Sequence, residues 1–127
     1  MDGKSDSSVR RHHNLLVWQE GINLVTTIYR LTSAFPPEEK YGLVSQMRRA
    51  AVSIPSNIAE GAARTTQKEF SHFLSIARGS LSELETQLII CRKLEYVSDV
   101  DETFKLMNKI FALLGGLIKS LNGNNTK

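Results

Sequence analysis

A chain of 127 residues with 41% hydrophobic content is the size of one domain and can bury a core without metals or disulfides, and its single Cys91 excludes an internal disulfide. Sixteen Lys and Arg against thirteen Asp and Glu leave a net charge of +3, which permits contact with nucleic acid without requiring it. No apolar run approaches the ~20 residues that span a bilayer, and no signal-peptide core follows Arg10-Arg11, so the sequence reads as a soluble, cytoplasmic protein.

Residues 1–13 are polar and mixed in charge and are expected to be a disordered tail; the folded unit is expected over 14–121, with 122–127 fraying. Between the tails, apolar residues recur at three and four rather than alternating, which predicts an all-α chain of four helices. The first helix is expected from an Asn14 N-cap to Phe35, where Pro36-Pro37 stops it. It carries two apolar rows about a third of a turn apart at ~100° per residue. One holds Val17, Leu24, Ile28, Leu31 and Phe35, the other Leu15, Trp18, Ile22, Val25 and Tyr29.

The second helix is expected to start near Pro37-Glu38-Glu39, where proline suits a first turn and the acids suit the positive end of the dipole, and to end near Ala63. The stretch "SIPSNIAEG" places Pro55 inside it. Met47, Ala51, Ile54, Ile58 and Ala62 nevertheless keep helical phase through the proline, so one kinked helix is predicted rather than a loop. The Ser53 or Ser56 hydroxyl, or a water, is expected to compensate near the freed Ala51 carbonyl. Thr66 with Glu69 is a capping-box pattern opening a third helix that runs to about Leu94. Its core row is Phe70, Leu74, Ala77, Leu81, Leu84, Leu88 and Cys91. Ser98 or Asp99 is expected to cap a fourth helix reaching Leu121, again with two rows: Phe104, Met107, Phe111, Leu114, Ile118 and Leu121, then Leu106, Ile110, Leu113 and Leu117. Short connections predict an antiparallel, up-down-up-down four-helix bundle.

Arg49, Ser53, Asn57, Glu60 and Arg64 form a polar stripe on the second helix. Either it lines a groove or it bonds across to the third helix, where Arg78, Ser82 and Glu85 flank the core row; Arg49 with Glu60 or Glu85, and Arg78 with Glu60, are the expected pairs. On this second reading Ser53, Asn57, Glu60 and Glu85 are a structural polar motif. His12, His13 and His72 lack the spacing of metal ligands, and Cys91 sits at a core position. No phosphate loop or triad pattern is present, so no cofactor and no enzyme is expected. Gly115-Gly116 are expected to permit close helix approach. Arg48, Arg49, Arg64, Lys68 and Arg78 are the candidate nucleic-acid contacts. Trp18, Ile22 and Tyr29 with Leu106, Ile110 and Leu117 are the candidate interface, because the double rows exceed the ~100° arc of a surface helix.

The run "YGLVSQMRRAAVSIPSNIAEGAAR", followed by "FLSIARGSLSELETQL", closely resembles the small four-helix-bundle family named for reading frames inside 23S rRNA intervening sequences. "VWQ" and "LTSAFP" in the first helix fit the same pattern, and the match covers roughly 15–121. Arg48, Arg49, Ser53, Pro55, Asn57, Glu60, Gly61, Arg64, Arg78, Ser80 and Glu83 stand at motif positions. The resemblance implies a ring-like homopentamer. It extends in architecture to the accessory protein of diversity-generating retroelements, which works with a reverse transcriptase and nucleic acid. The function expected is therefore that of a non-enzymatic oligomeric accessory factor binding RNA or other nucleic acid. The alternative is a protein-protein interaction scaffold.

Overall fold

The computed structural model describes residues 10–123, within which four α-helices are joined by short connections and no strand occurs. These are α1 (Leu16–Thr32), α2 (Leu43–Ala62), α3 (Gln67–Lys93) and α4 (Asp101–Gly123), with 3-10 turns at Arg11–Asn14 and Pro37–Glu39. The core rows of α2 and α3 fall where periodicity puts them: Met47, Ala51, Ile54 and Ile58 on one, Leu74, Ala77, Leu81, Leu84, Leu88 and Cys91 on the other, are fully buried.

Boundaries shift for local reasons. Asn14 does not cap α1; it closes a 3-10 turn whose His12 and His13 rings lie 5.0 and 5.3 Å from the Trp18 ring. Residues 1–9 and 124–127 of the expected tails lie outside the described residues. Helix α1 ends at Thr32, ahead of the expected Phe35, whose amide bonds the Thr32 carbonyl at 3.1 Å. Pro37 does open a helical turn, but only a 3-10 one. Gly42 separates it from α2, and the Glu39 carboxylate accepts from the Leu43 amide at 3.3 Å.

Thr66 caps α3 as expected, its hydroxyl oxygen accepting from the Glu69 amide at 3.1 Å. The other end of α3 is closed by a Schellman arrangement in which the Tyr96 amide donates to the Cys91 carbonyl and the Glu95 amide to Arg92. Glu95 occupies the left-handed position usually taken by glycine, with φ 65°. That turn presents the Tyr96 hydroxyl to Glu39 at 2.9 Å and its ring to Phe35, pinning this connection to the one between α1 and α2. Helix α4 starts at Asp101, so its cap position is Val100, tucked into the core, rather than Ser98 or Asp99.

Pro55 lies inside a continuous α2, which no loop interrupts. Its buried ring takes the space that the missing side chain of Gly21 leaves on α1, where a Cβ would stand 3.4 Å from Pro55 Cβ. A second close approach joins α2 to α3 at Gly61, where a Cβ would meet Phe73 Cβ at 2.8 Å. Gly115 and Gly116, by contrast, face open space, so they bring no two helices of this chain together.

Candidate functional site: two faces of the second helix

The polar stripe of α2 borders α3, but through a different flank of α3 from the one expected. Ser53 Oγ and Ser80 Oγ share a 2.8 Å hydrogen bond, and Asn57 Nδ2 donates to both Ser53 O and Ser53 Oγ, at 2.8 and 3.0 Å. The side chain found on a backbone carbonyl of this proline-containing turn is thus that of Asn57. Ser80 stands ~200° around α3 from Arg78. Arg78 and Glu85 instead follow Ser71, at intervals of seven residues, on the flank where the Ser71 hydroxyl donates to Asn122 of α4. Neither makes a hydrogen bond or ion pair among the described residues. Glu60 pairs within its own helix, accepting from Arg64 at 2.8 Å. Arg49 bonds Ser45 at 3.1 Å, so none of the expected pairs with Glu60 or Glu85 forms. Between the two helices opens a polar cleft of about 380 Å³ lined by Gln46, Arg49, Ala50, Ser53, Ser80 and Glu83.

The other side of α2 is apolar and runs along α1. Trp18, Ile22, Val25, Val52, Pro55 and Ala59 line one groove, with His12 at its end, and Tyr29 and Val52 continue it toward Arg48. Ile22 and Tyr29 are 38% and 42% exposed, while Trp18 is half-buried. A second apolar groove lies between α1 and α4, lined by Leu15, Leu16, Leu113, Gly116 and Leu117. Of the residues expected on α4's outer row, Leu106 and Leu117 are half-buried, but Ile110 is fully buried and belongs to the core. The core of α4 is centred between the two rows rather than on one of them. Ile110 at one edge is therefore taken inside, while Phe104 and Phe111 at the other edge stay half-exposed.

The expected basic contacts are not gathered on one patch. Arg48 is turned inward: its guanidinium lies 4.4 Å from the Tyr29 ring centroid and donates to Thr32 Oγ1 and Tyr29 O. Arg64 covers Phe73 at 4.8 Å besides bonding Glu60. Arg49 and Arg64 are fifteen residues apart on the sequence, ~22 Å along a helix. Lys68 is exposed and makes no hydrogen bond or ion pair among the described residues, and Arg78 occupies the α4 flank. Arg92 over Phe104 and Arg11 over Phe70 spend further guanidinium groups on covering rings.

Cys91 is buried with its thiol toward Met47 Sδ at 3.5 Å, and burial pushes its pKa up to about 11, which keeps it protonated and unreactive at neutral pH. Burial and the neighbouring His13 and Arg10 charges hold His12 below its ordinary value. Among the described residues no three His, Cys, Asp or Glu side chains converge as metal ligands would, and no helix is long and apolar enough to cross a membrane. The residues that sequence reasoning left out of the α2–α3 contact are Ser80 and Glu83, which were visible only as motif positions. A family model described as 23S rRNA-intervening sequence protein matches residues 13–117 of this chain. No curated protein matches it.

Proposed function

The chain belongs to the 23S rRNA-intervening sequence protein family, and from that premise we propose that it is a non-enzymatic bundle that works as an assembly of its own copies. The observation that carries this reading is the apolar groove between α1 and α2, in which Trp18, Ile22, Val25, Val52 and Pro55 form one continuous face instead of scattered spots. A contiguous apolar face on the outside of a small domain is the mark of a surface that another chain covers. Closed assemblies with cyclic symmetry join two different faces head to tail, and the α1–α4 groove with its open Gly115 and Gly116 supplies a second face. A ring of five copies is the form we propose. An up-down-up-down course and a bend at Pro55 belong to the same reading; the contacts of Cys91 with Met47, Ser80 with Ser53 and Phe73 with Gly61 support the first.

The lone Trp18 reports directly on this face. Its emission is expected to shift to longer wavelength on dilution, and at all concentrations in Ile22→Glu. A spectrum independent of both changes argues against burial of the groove by a second chain.

A second reading, that the assembly is an accessory factor for RNA or other nucleic acid, draws on Lys68 and Arg78, which carry no partner among the described residues. One such pair is weak, but a ring repeats it around an axis, and repeated phosphate contacts sum. RNA retention that falls steeply with salt is the expected result; retention indifferent to salt leaves the interaction scaffold as the function.

A further inference from the structure

The apolar groove between α1 and α2 ends on an ionisable side chain. His12 closes it beside Trp18, the two rings meeting edge to face with their centres 5.0 Å apart. The turn that carries His12 packs against α1 and α2, and neither helix gives it a carboxylate: the rest of the groove wall is apolar apart from the Ser56 hydroxyl. The acid next along α2, Glu60, is paired with Arg64. On the turn itself, Arg11 reaches away to the Ala62 carbonyl and the Phe70 ring, and His13 Nδ1 accepts from the Arg10 amide. The charges that bear on the His12 ring are those of His13 and Arg10, both of which oppose a proton there.

Given the self-association proposed above, on which this rests, we infer that His12 makes the contact through this groove pH-sensitive: its neutral ring is covered together with the groove, and a proton on it drives the copies apart. A surface that covers Trp18 and Ile22 also takes water from His12, and desolvation penalises the charged ring. Only an acid on the covering face would offset that penalty. The α1–α4 groove, the second face of the assembly, is lined by Leu15, Leu16, Leu113, Gly116, Leu117 and Ser120, none of which ionises. Glu20, one turn along α1 from Leu16, is already held by Lys109 of its own chain at 2.6 Å, and Lys119 on α4 adds a further cation. The sign follows from linkage. Burial, His13 and Arg10 hold His12 below its ordinary value in the single chain, and covering the ring lowers its proton affinity again. Opening each contact therefore binds a proton once pH is below the single-chain value, so association is strongest above that value and weakens on acidification.

Sedimentation velocity of the full chain, over a dilution series at about pH 8 and about pH 5, reads the switch. An assembly is expected at the higher pH and a dissociation constant about tenfold larger at the lower one, with helical content by circular dichroism retained. His12→Phe keeps a ring against Trp18 without a titrating nitrogen, and His12→Gln is a neutral polar alternative; both are expected to associate equally at the two pH values. His72→Gln, exposed on α3, is expected to keep the pH dependence of the parent. A parent that is a single chain at pH 8 overturns the self-association and the switch together. A parent that assembles as tightly at pH 5 as at pH 8, a weakening that survives both His12 variants, or one that comes with loss of helix overturns the switch alone and leaves the assembly standing.

Discussion

Replacing Gly61 by Ala tests the close approach of α2 to α3. A Cβ there would stand 2.8 Å from Phe73 Cβ, 2.9 Å from Phe70 Cδ1 and 3.2 Å from the Phe70 carbonyl. Phe73 Cβ and the carbonyl are fixed to the backbone of α3, so no rotamer change relieves them; the helices must separate by several tenths of an ångström. Overpacking of this kind costs about 1–3 kcal/mol, against which the better helix propensity of Ala returns at most about 1 kcal/mol. Separation also disturbs the Arg64 stack on Phe73 and the Arg11 stack on Phe70. The net expectation is a loss of about 1–2 kcal/mol, a fall in Tm of about 4–8 °C. Gly79→Ala is the internal comparison, because nothing lies within 4 Å of its Cβ position; it should gain up to about 1 kcal/mol. Circular dichroism melts at one fixed protein concentration read both, since association shifts apparent stability. A Gly61→Ala variant that melts at or above the parent refutes the argument.

Arg48→Ala should lose about 1–2 kcal/mol in urea unfolding, because it removes the stack on Tyr29 and strips a hydrogen bond from the buried Thr32 hydroxyl; an unchanged midpoint would return Arg48 to the solvated surface. Glu95→Gly should raise Tm, gaining about 0.5–1 kcal/mol by relieving the left-handed backbone at φ 65°. The bond from Lys109 to Glu20, at 2.6 Å between α4 and α1, holds the Glu20 carboxyl below its ordinary value. Its contribution is therefore present above the unfolded-state pKa and lost as pH falls through the lower folded-state value. Lys109→Met should cost at most about 1 kcal/mol at pH 7, discounted for solvent screening, and nothing once the carboxyl is protonated in both states; denaturant titrations on either side of the carboxylate range compare the two.

Much of the architecture is legible in periodicity. The core rows of α2 and α3, the Thr66 cap and the continuity of α2 through Pro55 all follow from local spacing, which a helix converts directly into a buried face. The start of α2 does not, because the proline and acids at 37–39 are good first-turn residues and serve a 3-10 turn before Gly42 interrupts it. The flank of α3 that meets α2 is equally hidden. Spacing marks the core row but carries no sign for which neighbour lies to its left or right, so Ser80 and Glu83 could be told from Arg78 and Glu85 only once the helices were arranged. Basic residues mislead in the same way. Arg48 and Arg64 count as free charge in the sequence, yet each lays its guanidinium on an aromatic ring of a neighbouring helix, Tyr29 for Arg48 and Phe73 for Arg64.

Self-association through the outer apolar face is the central claim, and light scattering coupled to size exclusion at micromolar concentration tests it most directly. The account predicts a particle whose mass is a multiple of the 14.2 kDa chain, fivefold for the ring proposed, and a fall to a single chain in Ile22→Glu with helical content retained. A parent protein that elutes as one 14.2 kDa chain at every concentration, its α1–α2 groove open to water, contradicts it.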